Sequence, residues 1–380
     1  WLSIKRNTAM KITVIGTSNC VIGQRGFLQA LSHEHDIQNL SSGRTTFYKH
    51  IKTIIEHRAA IEDSDLLIID HSVNDVNFYA QAFGDSYATR CEEFYDFLST
   101  LNTRVLSLLF PMKDTQSKPK DKARYNAIKA ISLSRGISCL DLNEQPFQAH
   151  HFRDRMHLTT DVSYLVGLSL RNALKAGQPS AKPHGGGMKN CPFHLVSAKS
   201  LVEASALKTF KNNLLQLDYF ELTESLRIAA PPDHALLAIG YLHRPKKKSA
   251  SGLRINGNDR GLAYVSGYFL EPVDIDTRGD ILIEPLAASL PSCSSLMRPT
   301  DIYAPFQTCC LSDFLFYDTA AAPQWSPAQR SCFEIQLPEV PELLAGFCAP
   351  SASRRQTLFQ AAAKTRSLLR RTLRGLRPKT

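Results

Sequence analysis

The sequence predicts an α/β protein: a doubly wound, five-stranded parallel sheet over residues 10–176, then a second, mostly β domain. Three observations carry this. Up to about residue 176, short runs that are apolar on both faces alternate with amphipathic helical stretches, the pattern of a parallel sheet covered on both sides. A segment rich in Gly, Pro and Ser, without periodicity, follows at 177–190 and reads as a linker. Beyond it the pattern shortens to strand-like alternation broken by Gly, Pro and Asn turns.

The strands expected in the first domain are KITVIG (11–16), DIQNLS (36–41), DLLIIDHS (65–72), RVLSLLF (104–110) and SCLDLN (138–143). Helical patterns occupy TTFYKHIKTIIEHRA, SYATRCEEFYDFLSTL, DKARYNAIKAISLSR and TDVSYLVGLSLRNALKAG. In the second domain, residues 191–350, the expected strands are ALLAIGYL, GLAYVSGYFL, GDILIEPL and CFEIQL, with turns at NGND and TRGD. A helical entry is expected around SLVEASALKTFKNNLLQL, and a sandwich is the nearest architecture.

Charge is concentrated at one end. The chain of 380 residues has a formal net charge of +10, and the segment from Ser353 onward holds nine Lys and Arg with no Asp or Glu. The body is therefore nearly neutral, and no specific nucleic acid is expected as a partner. The tail, 351–380, reads as a basic amphipathic helix or a disordered basic terminus. Leu358, Ala362, Leu369, Leu373 and Leu376 gather on one side of the helical wheel, a pattern suited to an anionic membrane surface. No run reaches the roughly 18 apolar residues of a membrane span. The first residues pass straight into strand-like sequence without a cleavage site, and Met10 is a candidate start. The nine cysteines are scattered with no zinc spacing, so reduced thiols in a cytoplasm are expected, possible peripheral binding at the inner membrane face included.

Ligands of open parallel sheets bind beyond the carboxyl ends of the strands. The polar residues expected there are Gly16–Asn19, Ser42–Thr46, Ser72–Asp75 and Asp154–His157. Together they supply the parts of an acyl-transfer site. Ser18 is the nucleophile, activated by His157 as base, with Asp154 three residues earlier to hold the imidazole tautomer. The backbone N–H groups of Ser18 and Gly43 and the amide of Asn74 form an oxyanion hole. Each residue has a plainer reading alone: Ser18 as a helix N-cap, Gly43 as a turn glycine, Asn74 as a helix start, Asp154 and His157 as a surface pair. Their conjunction favours the site. No cofactor or metal is expected, because His150 and His151 lack a carboxylate or cysteine at matching spacing. Cys20 reads as a buried thiol and His71 as a packing residue.

These four blocks, GTSN, NLSSGRTT, SVND and DRMHLT, resemble the SGNH (GDSL-like) hydrolases, whose blocks carry Ser, Gly, Asn and His in that order with an Asp three before the His. The resemblance covers residues 11 to about 176. It implies a flavodoxin-like hydrolase fold and a serine esterase with a Ser18–His157–Asp154 triad. Two departures stand out: Thr17 where the family usually has Asp, and Arg155–Met156 where smaller residues are common. The function expected is hydrolysis of a small acetyl-type ester, by analogy on a carbohydrate. The alternatives are an O-acyltransferase of polysaccharide modification with the same site, and a catalytically silent binding or scaffold protein.

Overall fold

KITVI forms β1 (Lys11–Ile15), and every other feature of the first domain is arranged around it. The sheet also contains β2 (Asp36–Asn39), β3 (Leu66–Ile69), β4 (Arg104–Leu109) and β5 (Ser138–Asp141), in the order β2-β1-β3-β4-β5. All four pairings are parallel, and the buried Val14 and the whole of β3 show why these runs carry so few polar residues. The chain leaves β1 toward β2 on one side and then returns to β3 on the other. This reversal of direction beside β1 opens a crevice at the carboxyl ends of β1, β2 and β3. The computed structural model describes residues 9–22, 25–43, 45–115, 118–176, 191–211, 215–243, 251–262, 267–273, 279–286 and 309–320, with isolated positions between 335 and 344. The expected linker, 177–190, and the basic tail, 351–380, lie outside the described residues.

The connections are helical: α1 (Ser18–Ile22), α2 (Phe27–Ser32), α3 (Phe47–Glu56), α4 (Arg58–Glu62), α5 (Ser72–Asn74), α6 (Ala80–Ser99), α7 (Pro119–Ser134) and α8 (Thr160–Ala176). Two of these differ from expectation. The sequence signalled no helix at α2, a stretch of only six residues, too short for periodicity to declare itself. It forms because Phe27, Leu28, Ala30 and Leu31 are buried and the helix packs on α8. The helix expected from Ser86 begins at Ala80, because α5 runs on through a π-helical turn, Asp75–Tyr79, into α6.

Among the described residues the second half is mostly β, and every strand pairing in it is antiparallel. Its strands are β6 (Phe193–Ser197), β7 (Lys208–Lys211), β8 (Gln216–Leu222), β9 (Leu226–Ile228), β10 (His234–His243), β11 (Ser251–Ile255), β12 (Asn258–Leu262), β13 (Gly267–Pro272), β14 (Ile281–Pro285) and β15 (Cys309–Asp318). One sheet runs β13-β10-β15-β8-β7 with β6 also paired to β15, and the other runs β12-β11-β14-β9. A single apolar cluster joins Phe220, Leu236, Ile239, Phe314 and Phe316 of the first to Ile228, Leu253, Ile255, Ile281 and Ile283 of the second. This is a sandwich core. The NGND turn closes β11 onto β12, with Asn256 and Gly257 both at positive φ (48° and 81°), as a two-residue hairpin turn requires.

The expected helical entry at 200–217 is wrong. Apart from short 3₁₀ turns at Ala198–Ser200 and Ala204–Ala206, the chain there pairs as β7 with β8, Lys208 opposite Tyr219 and Lys211 opposite Gln216. Burial of Leu217 and Tyr219 on one face of β8, and of Phe220 and Leu222 on the other, against partners distant in sequence overrides a local helical pattern. Of CFEIQL only Ile335 and Leu337 lie among the described residues, and the Ile335 N–H donates to the Cys139 carbonyl of β5 (2.8 Å), on the parallel sheet.

Residues Trp1–Leu337 form one compact unit that holds both the parallel sheet and the sandwich, and Pro338–Thr380 form a second. Within the first, α3 is the shared element. It is buried from Phe47 to Ile54 because β13 and β6 of the sandwich pack against it as well. Lys52 on α3 pairs with Asp313 of β15 at 3.0 Å and with Glu56 on its own helix. Asp313 also accepts from Tyr268 Oη (2.8 Å) and Ser312 Oγ (2.7 Å). Lys49 lies 4.8 Å from the centre of the Tyr268 ring, within cation–π range.

Candidate active site

Gly16 ends β1 because the turn that follows is too tight for a side chain. A Cβ there would come 2.4 Å from Cys20 Sγ. The turn delivers Ser18 to the start of α1, at the switch point of the sheet. Thr17 is anchored beneath it: its hydroxyl donates to Asp70 Oδ2 at 2.6 Å and its N–H to the same oxygen at 3.4 Å. Asp70 is fully buried at the end of β3, and burial raises its pKa against the lowering effect of the Thr17 hydroxyl. Thus the hydrogen bonding of the departure at position 17 is taken up by a carboxylate from the neighbouring strand.

The structure brings Ser18, His157 and Asp154 together. Ser18 Oγ is 2.6 Å from His157 Nε2, and His157 Nδ1 is 2.8 Å from each Asp154 oxygen. Since Nδ1 faces a carboxylate, it carries the proton, and Nε2 is left to accept from the serine. The loop bearing both residues is closed at its base by a bridge between Phe152 and Leu158 and by Arg153 N–H to the His157 carbonyl. At its tip the N–H groups of Met156 (2.8 Å) and His157 (3.1 Å) donate to Asp154 Oδ1. Burial pushes the Asp154 pKa up, but the Met156 N–H and the His157 contacts outweigh it, and the carboxyl titrates below its ordinary value. The side chain is 50% exposed and that of His157 18%, so the arrangement opens to water.

Gly43 and Asn74 lie on the adjoining rim. A Cβ on Gly43 would be 3.9 Å from Ser18 Cβ and would meet nothing closer in the protein. Packing therefore does not demand glycine there. Asn74 is buried, and its Nδ2 donates to the Thr45 carbonyl at 2.9 Å, two residues beyond Gly43. An amide nitrogen carries two hydrogens, so one remains for another acceptor. His50 of α3 ties the same blocks from below, with Nδ1 near the Thr46 carbonyl (2.9 Å) and Nε2 near that of Asp70 (3.0 Å).

Other residues singled out from sequence have structural surroundings. His71 is buried between Asp75 Oδ2 (2.7 Å) and Tyr95 Oη (3.1 Å), and burial lifts the Asp75 pKa to about 6. Cys20 is buried, which pushes its thiol well above the ordinary range. The His150 and His151 rings are 4.1 Å apart, and no metal-binding group of three occurs among the described residues. Sequence reasoning assigned no role to Asn19, Asn77 or Asp70. Asp70 had a visible signal, a lone carboxylate closing the apolar run LLII. No helix among the described residues is long and apolar enough to cross a membrane.

The described residues form a five-stranded parallel sheet flanked by helices, accompanied by a mostly antiparallel β domain. No family model and no curated protein matches the chain. Similar solved structures include a putative SGNH hydrolase from Slackia heliotrinireducens, 14% identical, covering 43% of this chain and 98% of its own, with a TM-score of 0.32. A catalytic mutant of an acetylxylan esterase from Geobacillus stearothermophilus is 16% identical over 45% of this chain and 95% of its own, TM-score 0.34. A psychrotrophic esterase from Pseudoalteromonas sp., inhibited by monoethylphosphonate, is 13% identical over 44% and 98%, TM-score 0.35. Likeness this distant carries no argument, and the site rests on its own geometry.

Proposed function

We propose that the protein is a serine esterase that removes a small, acetyl-type acyl group from an oxygen of a carbohydrate. One observation carries the reading: the unbroken hydrogen-bond chain from Ser18 Oγ through the His157 ring to both oxygens of Asp154, beside Gly43 at the switch point of the sheet. In this reading Ser18 Oγ attacks the ester carbonyl while His157 Nε2 takes its proton. The tetrahedral oxyanion is held by the N–H groups of Ser18 and Gly43 and the second hydrogen of Asn74 Nδ2. His157 then gives the proton to the departing sugar oxygen, leaving an acyl group on Ser18. Water, deprotonated by the same imidazole, releases the acid and restores the serine. Asp154 keeps the ring in its Nδ1–H tautomer and stabilises the imidazolium formed at each step.

The carbohydrate is analogy, drawn from the resemblance in which an added β-rich domain accompanies work on saccharides. The reading of a silent scaffold rested on Thr17 and on the bulk of Arg155 and Met156. Against that reading stand the Thr17 hydroxyl bonded to Asp70 and Arg155 turned toward Asp114 at 3.5 Å. The test uses short-chain aryl esters and acetylated saccharides, with a serine-directed phosphonate. Ser18→Ala should lower turnover by at least about 10⁴-fold and abolish labelling without lowering the melting temperature. Labelling that persists would place the nucleophile elsewhere. Product analysis with added saccharide acceptors distinguishes release to water from transfer to a sugar hydroxyl.

A further inference from the structure

The tip of the histidine loop organises itself. Asp154 receives the N–H groups of Met156 and His157 as well as the imidazole, so these residues form a closed turn that can tilt as a body. Contacts within that turn cannot fix where its ring stands relative to Ser18. That position must come from contacts to other elements, among them the Arg155–Asp114 pair at 3.5 Å and three hydrogen bonds. Lys113 N–H donates to the Arg155 carbonyl at 2.9 Å. Asn77 Nδ2 approaches Met156 Sδ at 3.5 Å, a weak acceptor. Asn19 Nδ2 donates to the Met156 carbonyl at 3.1 Å. Only the last comes from the segment that carries the nucleophile.

Ser18 and Asn19 are neighbours, as are Met156 and His157. The Ser18–His157 and Asn19–Met156 contacts are therefore two rungs between the same two backbone segments. One rung sets a distance but leaves the imidazole free to swing about it; two also set the angle. Asn19 is 6% exposed, so its amide is sheltered from water that would compete for the Met156 carbonyl. The orientation of the amide is dictated by chemistry, since a carbonyl only accepts.

We infer that Asn19 is a positioning residue, which holds His157 in line with Ser18 through the Met156 carbonyl. The inference rests on the esterase reading for its kinetic consequence but not for its geometric one. Misplacement of a catalytic group by an ångström costs up to about 10²-fold. Asn19→Ala and the shape-conserving Asn19→Asp, which cannot donate when ionised, should each lower kcat by about 10- to 100-fold with KM within about twofold. The melting temperature should change little. In nitrogen NMR of the histidine rings, the His157 Nε2 signal, which reports the hydrogen bond from Ser18, should move toward that of a ring nitrogen without a donor in both variants, while Asp154 keeps the Nδ1–H tautomer. A kcat within twofold of the native value in a folded variant overturns the inference, as does an unchanged His157 Nε2 signal. Should the native protein show neither turnover nor phosphonate labelling, the esterase reading fails while the ring spectrum still decides the role of Asn19.

Discussion

Helix α3 borders two polar networks built from similar residue types and put to opposite uses. At its amino end, Gly43, Thr45 and Asn74 adjoin the Ser18–His157–Asp154 chain, open to solvent at the strand ends. Along its length, Lys49 and Lys52 face Asp313, Tyr268 and Ser312 of the sandwich, all buried. At the rim, hydrogen bonds outweigh burial on Asp154 and keep it ionised. At the junction the balance differs between adjacent turns of one helix. Burial and the neighbouring Lys52 bring Lys49 down to about 8, whereas burial of Lys52 is overcome by Asp313 and Glu56, which raise it. The comparison teaches that a charge near water can be held ready for proton transfer, while the same charge walled in serves only to specify which surfaces meet.

The sharpest way to break the comparison is at the junction. Asp313→Ala leaves Lys52 buried with only Glu56 and should cost about 3–5 kcal/mol of stability, read as a lowered denaturant midpoint. Lys52→Met combined with Asp313→Leu removes both charges and should cost much less. Equal losses would mean the pair is not acting as a buried ion pair. At the rim the expected effect is kinetic. Asn74→Ala should lower kcat by about 10²–10³-fold with KM little changed, and a rise mainly in KM would recast it as a substrate contact. The smallest effect is one of pH. Lys49 has a folded pKa near 8, below its unfolded value, so above that pH the unfolded chain binds the extra proton. Stability from this group therefore rises between about pH 8 and 10, by on the order of 2 kcal/mol, and is lowest where the buried ammonium is charged. Lys49→Met should flatten that slope in urea titrations; an unchanged slope would show that the ring of Tyr268 and its surroundings hold the charge at no cost.

The rim was legible because its residues announce themselves locally: a polar cluster directly after each apolar strand needs an explanation wherever the strands are parallel. Asn19 stood inside one of those clusters, yet only its partner, Met156, reveals what it does. The junction was not legible. Nothing local marks Lys49 and Lys52, since Asp313 lies 261 residues beyond Lys52. For the same reason β7 and β8 passed for a helix: the alternation that defines them becomes decisive only once pairing and burial are known.

Strand β5 is the outermost of the parallel sheet, and an open strand edge is a template for another chain. Ile335 engages that edge at Cys139, yet it is synthesised roughly 200 residues later, which takes about 10–40 s at ordinary translation rates. The nascent N-terminal half thus emerges from the ribosome before Ile335 can engage that edge, and must wait for the strands of the sandwich to be made before that later segment arrives. During that interval the growing chain is most exposed to pairing with its neighbours on the same message, so the sandwich also sets the time for which the sheet edge must be protected.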